Sequence, residues 1–83
     1  VIDGKYQIYE IDLDTNAATL AVIWPVALQI QVTFKIVANA TAQIFQIKCD
    51  GTDIDGNVFP YATGLATYGS ITVYSNGTNL NII

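Results

Sequence analysis

The oxygen-rich side chains of one short segment are the first candidates for chemistry. They are Asp50, Asp53, Asp55 and Asn57. A pair of carboxylates about 5–10 Å apart could act as a glycosidase, and several oxygen ligands in one loop could bind calcium. The spacing departs from an EF-hand because Val58 stands where glycine is required and no distal glutamate follows. Turns also use aspartate and asparagine for local hydrogen bonds, so we predict a structural turn, with no metal ligand and no catalytic acid.

Nucleophilic, zinc and phosphate chemistry lack the residues they need. Histidine is absent and Cys49 is the only cysteine, which removes the commonest general base, the Ser–His and Cys–His pairs and any Cys/His zinc site. No intrachain disulfide can form, and no glycine-rich phosphate loop occurs. We therefore predict no enzyme and no cofactor, and we interpret Cys49, at the end of an apolar run, as a buried structural thiol.

Aromatic side chains provide the remaining binding chemistry, since the chain has one tryptophan and five tyrosines. An aromatic ring with a polar tip can stack on a sugar ring, but it can equally pack in a core or between subunits. Trp24 shares a strand face with Leu20 and Val22, so we assign it to the core. Tyr61 and Tyr68 lie outside the strongest strands and are the predicted glycan contacts.

Apolar and polar residues alternate along several short segments, with the period of a half-buried strand. Between residues 30 and 36 the even-numbered side chains are all apolar and the odd-numbered ones are all polar. This alternation and Pro25 exclude a membrane-spanning helix in the apolar stretch 17–38. The predicted strands are residues 5–13, 19–24, 30–37, 43–49, 58–62, 70–75 and 78–83.

Turn chemistry separates these strands. Asp14-Thr15-Asn16 is a turn cluster, and Asn76-Gly77 predicts a two-residue type I′ hairpin turn. Pro25 should end the second strand, and Pro60 should confine its own strand to a sheet edge. Adjacent apolar residues at 8 and 9 indicate a bulge or burial on both faces. We predict one all-β domain over residues 1–83, a small antiparallel β-sandwich or barrel of about six or seven short strands.

Composition limits the partners of the chain. Charged residues make up 12% and apolar residues 52% of the sequence, and the net charge is −4. Three lysines and no arginine disfavour nucleic acids and anionic membranes. Since the usual charged fraction is about 25%, we expect surplus apolar surface to be buried between subunits. The surfaces 6–11 or 20–23 are the candidates for that contact.

The C-terminal third resembles a module of tailed-bacteriophage tail fibres and tailspikes. The similar segments are DIDG (53–56), ATYGSITV (66–73) and SNGTNLNII (75–83), with DLD (12–14) and TLAVIWP (19–25) upstream. They correspond to the family's I-D-G turn, its Y-G/A-S strand, its closing DGTNW hairpin and its D…VTLP segment. Leu80 replaces the usual tryptophan and Asn76 the usual aspartate.

The resemblance implies a small, commonly homotrimeric domain near the C-terminus of a fibre. Its expected role is trimer assembly and host attachment on a virion that is made in the host cytoplasm. Its expected partners are other virion proteins and a host-surface glycan. The chain has no methionine and begins with Val1, so we expect it to be a processed product or a piece of a longer polypeptide. A carbohydrate-binding module and a capsid decoration or head-fibre protein are the alternatives.

Overall fold

A computed structural model describes residues 1–14, 19–40 and 42–83, which form two β-sheets and, within those ranges, no helix. One sheet has four strands in the order β1-β3-β6-β7, and the other has three in the order β2-β4-β5. The strands are β1 Ile8–Asp12, β2 Thr19–Trp24, β3 Gln31–Ala38, β4 Ile44–Cys49, β5 Tyr61–Ala62, β6 Ser70–Ser75 and β7 Leu80–Ile82. The predicted small all-β sandwich is confirmed, and the two sheets do not close into a barrel.

Period-two alternation places the core between the sheets. Of the residues predicted to point inward in the third and fourth strands, five are buried and two, Ile30 and Cys49, are half-buried. The buried ones are Val32, Phe34, Ile36, Phe45 and Ile47, and Trp24 of β2 is completely buried. The ring centroids of Trp24 and Phe34 lie 6.2 Å apart, and those of Phe34 and Phe45 lie 5.3 Å apart. The Trp24 indole N–H donates to the carbonyl of Leu28 at 3.1 Å. The assignment of Trp24 to the core is therefore confirmed.

The strand directions differ from the predicted antiparallel arrangement. β1 pairs with β3 and β2 with β4 in parallel, and only β3–β6, β6–β7 and β4–β5 are antiparallel. The first four strands alternate between the two sheets, so β3 pairs with β1 and β4 pairs with β2, and the two strands of each pair run in the same direction. A parallel pair needs a long crossover connection, and here a strand of the opposite sheet forms part of that connection.

Two strand predictions change in detail at the sheet edges. The register shifts between Ile11 and Asp12, not at residues 8 and 9. Ile8 points outward and is 65% exposed, while Tyr9 is half-buried. The two adjacent apolar residues therefore form neither a bulge nor a segment buried on both faces, because Ile8 faces solvent on an edge strand. The fifth strand shortens to Tyr61–Ala62 and lies at the predicted sheet edge, directly after Pro60.

The predicted C-terminal hairpin is present, but its turn is longer than expected. Ser75 pairs with Leu80, so four residues, 76–79, connect β6 and β7. Gly77 has a positive φ of 93°, whereas Asn76 does not, and a type I′ turn requires both. The Asn76 side-chain oxygen instead accepts from the backbone N–H groups of Thr78 and Asn79, both at 2.9 Å. In the turn predicted at 14–16, residues 15 and 16 lie outside the described ranges.

Candidate functional site

The acidic segment 50–57 is fastened to the rest of the fold by its own carboxylates. Asp50 accepts from the Val26 backbone N–H at 2.8 Å, and Asp55 accepts from that of Ile82 at 3.1 Å. Asp53 accepts from the Gly56 N–H within the turn at 3.2 Å. Among the described residues, no three potential metal-binding side chains come together. Each carboxylate thus satisfies a separate backbone donor, which is the structural use of aspartate.

Cys49 lies half-buried at the end of β4. Its sulfur accepts from the Gly51 backbone N–H at 3.3 Å. Burial raises the pKa of the Cys49 thiol above its ordinary value of 9.0. The thiol is therefore protonated at neutral pH, and only the thiolate is a strong nucleophile.

The two predicted glycan contacts occupy different environments. Tyr61 is half-buried in β5 and packs against the core. Tyr68 is 73% exposed, has a φ of 67° and donates its backbone N–H to Ile36 at 2.7 Å. The segment 62–67 between them borders a mostly apolar cleft of about 400 Å³ at the start of β4, but neither tyrosine lines that cleft. Tyr68 alone of the pair presents most of its ring to solvent.

A second cleft, of about 540 Å³, lies beside edge strand β1 and combines an aromatic ring with neutral polar side chains. We call it the β1–β3 cleft, and it is lined by Gly4, Tyr6, Gln7, Ile8, Ile30, Gln31 and Thr33. Ile8 and Thr33 are register partners, so their side chains share one face of the sheet.

Sequence reasoning missed this cleft because its two walls are more than 20 residues apart, and parallel β1–β3 pairing brings them together. The sequence does show a glutamine between apolar residues at both 7 and 31. The predicted antiparallel pairing of strands, however, would have given these two glutamines other neighbours.

Comparison of the chain with protein-family models, with curated proteins and with solved structures finds no match. The likeness to fibre modules therefore depends on the turn and strand motifs of the sequence.

Proposed function

We propose that this chain is a non-enzymatic structural and adhesion domain of a phage fibre or tailspike, which assembles as a homotrimer and attaches to a host surface. The observation that supports self-association most directly is an apolar outer sheet face. Ile23 of β2 is 51% exposed and Ile44 of β4 is 47% exposed. Both side chains lie on the outer face of the three-stranded sheet, toward opposite ends of its paired strands. An exposed face with large apolar side chains commonly marks a protein interface.

This outer face of the three-stranded sheet is suited to close approach by another subunit. It consists of seven residues that alternate with the inward residues of the three strands: Thr19, Ala21, Ile23, Ile44, Gln46, Lys48 and Ala62. Ala21 pairs with Gln46, and Gln46 pairs with Ala62, so small side chains flank the centre of the face. Lys48, the register partner of Ile23, lies at the margin. The two isoleucines thus lie toward opposite ends of the face, with Gln46 and the two alanines between them. A mixture of apolar and polar groups is the usual composition of an interface.

The fibre assignment itself depends on the motif resemblance, and the contacts between the motifs support treating them as one module. The backbone N–H of Leu80, in the closing hairpin, donates to the carbonyl of Asp53 at 2.9 Å. The N–H of Asp55 donates back to the carbonyl of Leu80 at 3.2 Å. The I-D-G turn and the closing hairpin thus stabilise each other, which gives a physical reason for the two motifs to occur together.

The replacement Ile23→Glu tests the proposed subunit contact, with the solution mass measured by light scattering after size exclusion. Lys48 pairs with position 23, so the new glutamate gains an opposite charge in the isolated subunit but would be buried in the interface. Val58→Glu is the matched control, because Val58 is 79% exposed and lies outside the strands. We expect Ile23→Glu to shift the chain toward monomer and Val58→Glu to leave the mass unchanged. Equal masses for all three proteins would refute this interface.

The β1–β3 cleft favours a second candidate, a carbohydrate-binding module that does not need to self-associate. Its exposed tyrosine and amide side chains are the groups that bind sugars. A stable monomer that binds a glycan would support this candidate over the fibre domain.

A further inference from the structure

We propose that the β1–β3 cleft is a saccharide-binding site for an uncharged glycan, with Tyr6 as the stacking platform and Gln7, Gln31 and Thr33 as hydrogen-bonding groups. This inference names the ligand chemistry of the adhesive surface and so rests on the proposed function. It places the binding site apart from Tyr61 and Tyr68. The cleft volume of about 540 Å³ falls within the range of small-molecule sites, about 300–1,000 Å³.

The walls of the cleft are held by the backbone, so the site exists before a ligand binds. The Thr33 N–H donates to the carbonyl of Gln7 at 2.8 Å, which fixes one wall against the other. On the far side of β3, the N–H of Ser75 donates to the carbonyl of Ile30 at 3.1 Å. A preformed site loses little conformational entropy when it binds.

Tyr6 is oriented without being buried. Its ring meets the Tyr9 ring edge-on, with centroids 5.8 Å apart and an interplanar angle of 89°. It nevertheless remains 55% exposed. The Lys5 ammonium lies 5.6 Å from the Tyr6 ring centroid, an exposed cation–π contact that is weak enough for a stacking ligand to replace. Tyr6 is thus an accessible aromatic platform, whereas Tyr61 is partly enclosed by the core.

The polar groups of the cleft select for hydroxyl groups and not for charge. Of the described residues that line it, none carries a carboxylate, an ammonium or a guanidinium group. A glutamine amide both donates and accepts hydrogen bonds, as the hydroxyl groups of a sugar do. The Thr33 hydroxyl already shares a 2.9 Å hydrogen bond with the Thr72 hydroxyl, which orients it. One cation, the Lys5 ammonium over the Tyr6 ring, lies close to the site but does not line the cleft, so an anionic ligand would find no positive side chain among the lining residues themselves.

The test begins with a glycan array that carries neutral, sialylated and sulfated oligosaccharides, probed with the 83-residue chain. The strongest neutral binder is then titrated against the isotope-labelled chain and followed by NMR. We expect neutral glycans to bind, with shifts at Tyr6 and at the side-chain amides of Gln7 and Gln31. Affinity should not change with added salt, because screening affects only charged contacts.

Four variants locate the site. Tyr6→Ala and Gln31→Ala should each weaken binding by about tenfold or more, and a preserved amide spectrum shows that each still folds. Tyr6→Phe keeps the ring and should stay within about twofold. Tyr68→Ala, which removes an exposed ring elsewhere, should have no effect.

Three results would overturn the inference: no neutral glycan binds, only acidic glycans bind in a salt-dependent manner, or Tyr68→Ala abolishes binding while Tyr6→Ala does not. Measuring the solution mass in parallel distinguishes failure of the cleft site from failure of the proposed fibre domain. A trimer without glycan binding removes the cleft site and retains the fibre domain. A monomer that binds a neutral glycan through Tyr6 retains the cleft site and removes the fibre domain.

Discussion

The Asn79 side-chain amide donates to the Asp53 carboxylate at 3.1 Å, across 26 residues of chain. This hydrogen bond joins the turn that opens the C-terminal third to the loop that closes it. A parallel bridge between Ile54 and Leu80 lies beside it, and both of those side chains are completely buried. The acidic segment is therefore a structural partner of the last hairpin.

The Asp53–Asn79 hydrogen bond should be measurable as a coupling energy. Asp53→Ala removes the acceptor for both the Asn79 amide and the Gly56 N–H, so we expect a loss of about 1–3 kcal/mol in the free energy of unfolding. Asn79→Ala should cost less. The double mutant should show a coupling of about 0.5–1.5 kcal/mol in urea denaturation. Additive effects of the two replacements would mean that the contact contributes nothing.

Calcium should not stabilise the chain. Asp50, Asp53 and Asp55 accept hydrogen bonds from different parts of the backbone, so their oxygens do not converge on one point. A ligand that binds only the folded state raises stability as its concentration exceeds Kd. We expect the same Tm in excess calcium and in a chelator. A Tm that rises with calcium and falls back on chelation would reinstate a metal site in this segment.

Gly51 is required by close packing. A β-carbon at this position would lie 2.7 Å from Cγ2 of Val26 and 2.8 Å from the backbone oxygen of Thr78. Gly51→Ala should therefore lower the free energy of unfolding by about 1–3 kcal/mol. Gly64→Ala is the comparison, because Gly64 has a positive φ of 68° but no atom within 4 Å of the added carbon. It should cost only about 1 kcal/mol of backbone strain. Equal losses for both variants in chemical denaturation would contradict the packing account.

Ionisation of the Cys49 thiol should lower the free energy of unfolding at alkaline pH. In the folded chain, burial raises the pKa of the thiol above 9.0. The folded state therefore holds this proton more tightly than the unfolded state does. The contribution is fully present below pH 9 and is lost as the pH rises through the folded pKa. Cys49→Ser removes the titration and keeps a similar size. The free energy of unfolding of the wild type should therefore fall relative to that of Cys49→Ser above pH 9, and an unchanged difference would count against the burial of the thiol.

The sequence predicted the strands and the core more successfully than the strand pairing. Strands β2, β3, β4 and β6 follow from alternation because one face of each is buried, and the inward positions of Phe34 and Phe45 follow with them. Alternation has the same appearance in parallel and antiparallel strands, so the parallel β1–β3 pair could not be predicted from it. The cleft beside Tyr6 depends on that pair and was missed for the same reason. Asn76-Gly77 predicted the hairpin but not its four-residue loop, since side-chain capping by Asn76 replaced the expected turn.

Whether the chain is a trimer is decided by the solution mass of the wild-type protein, measured over a dilution series. The monomer has a mass of 9.0 kDa, so a homotrimer has a mass of 27 kDa (3 × 9.0). We expect a trimer mass that persists as the protein is diluted, because Ile23 and Ile44 on the outer face of the three-stranded sheet would otherwise remain exposed to water. A folded chain that stays at 9.0 kDa at every concentration would contradict the proposed trimeric fibre domain and leave the monomeric glycan-binding module as the account of this fold.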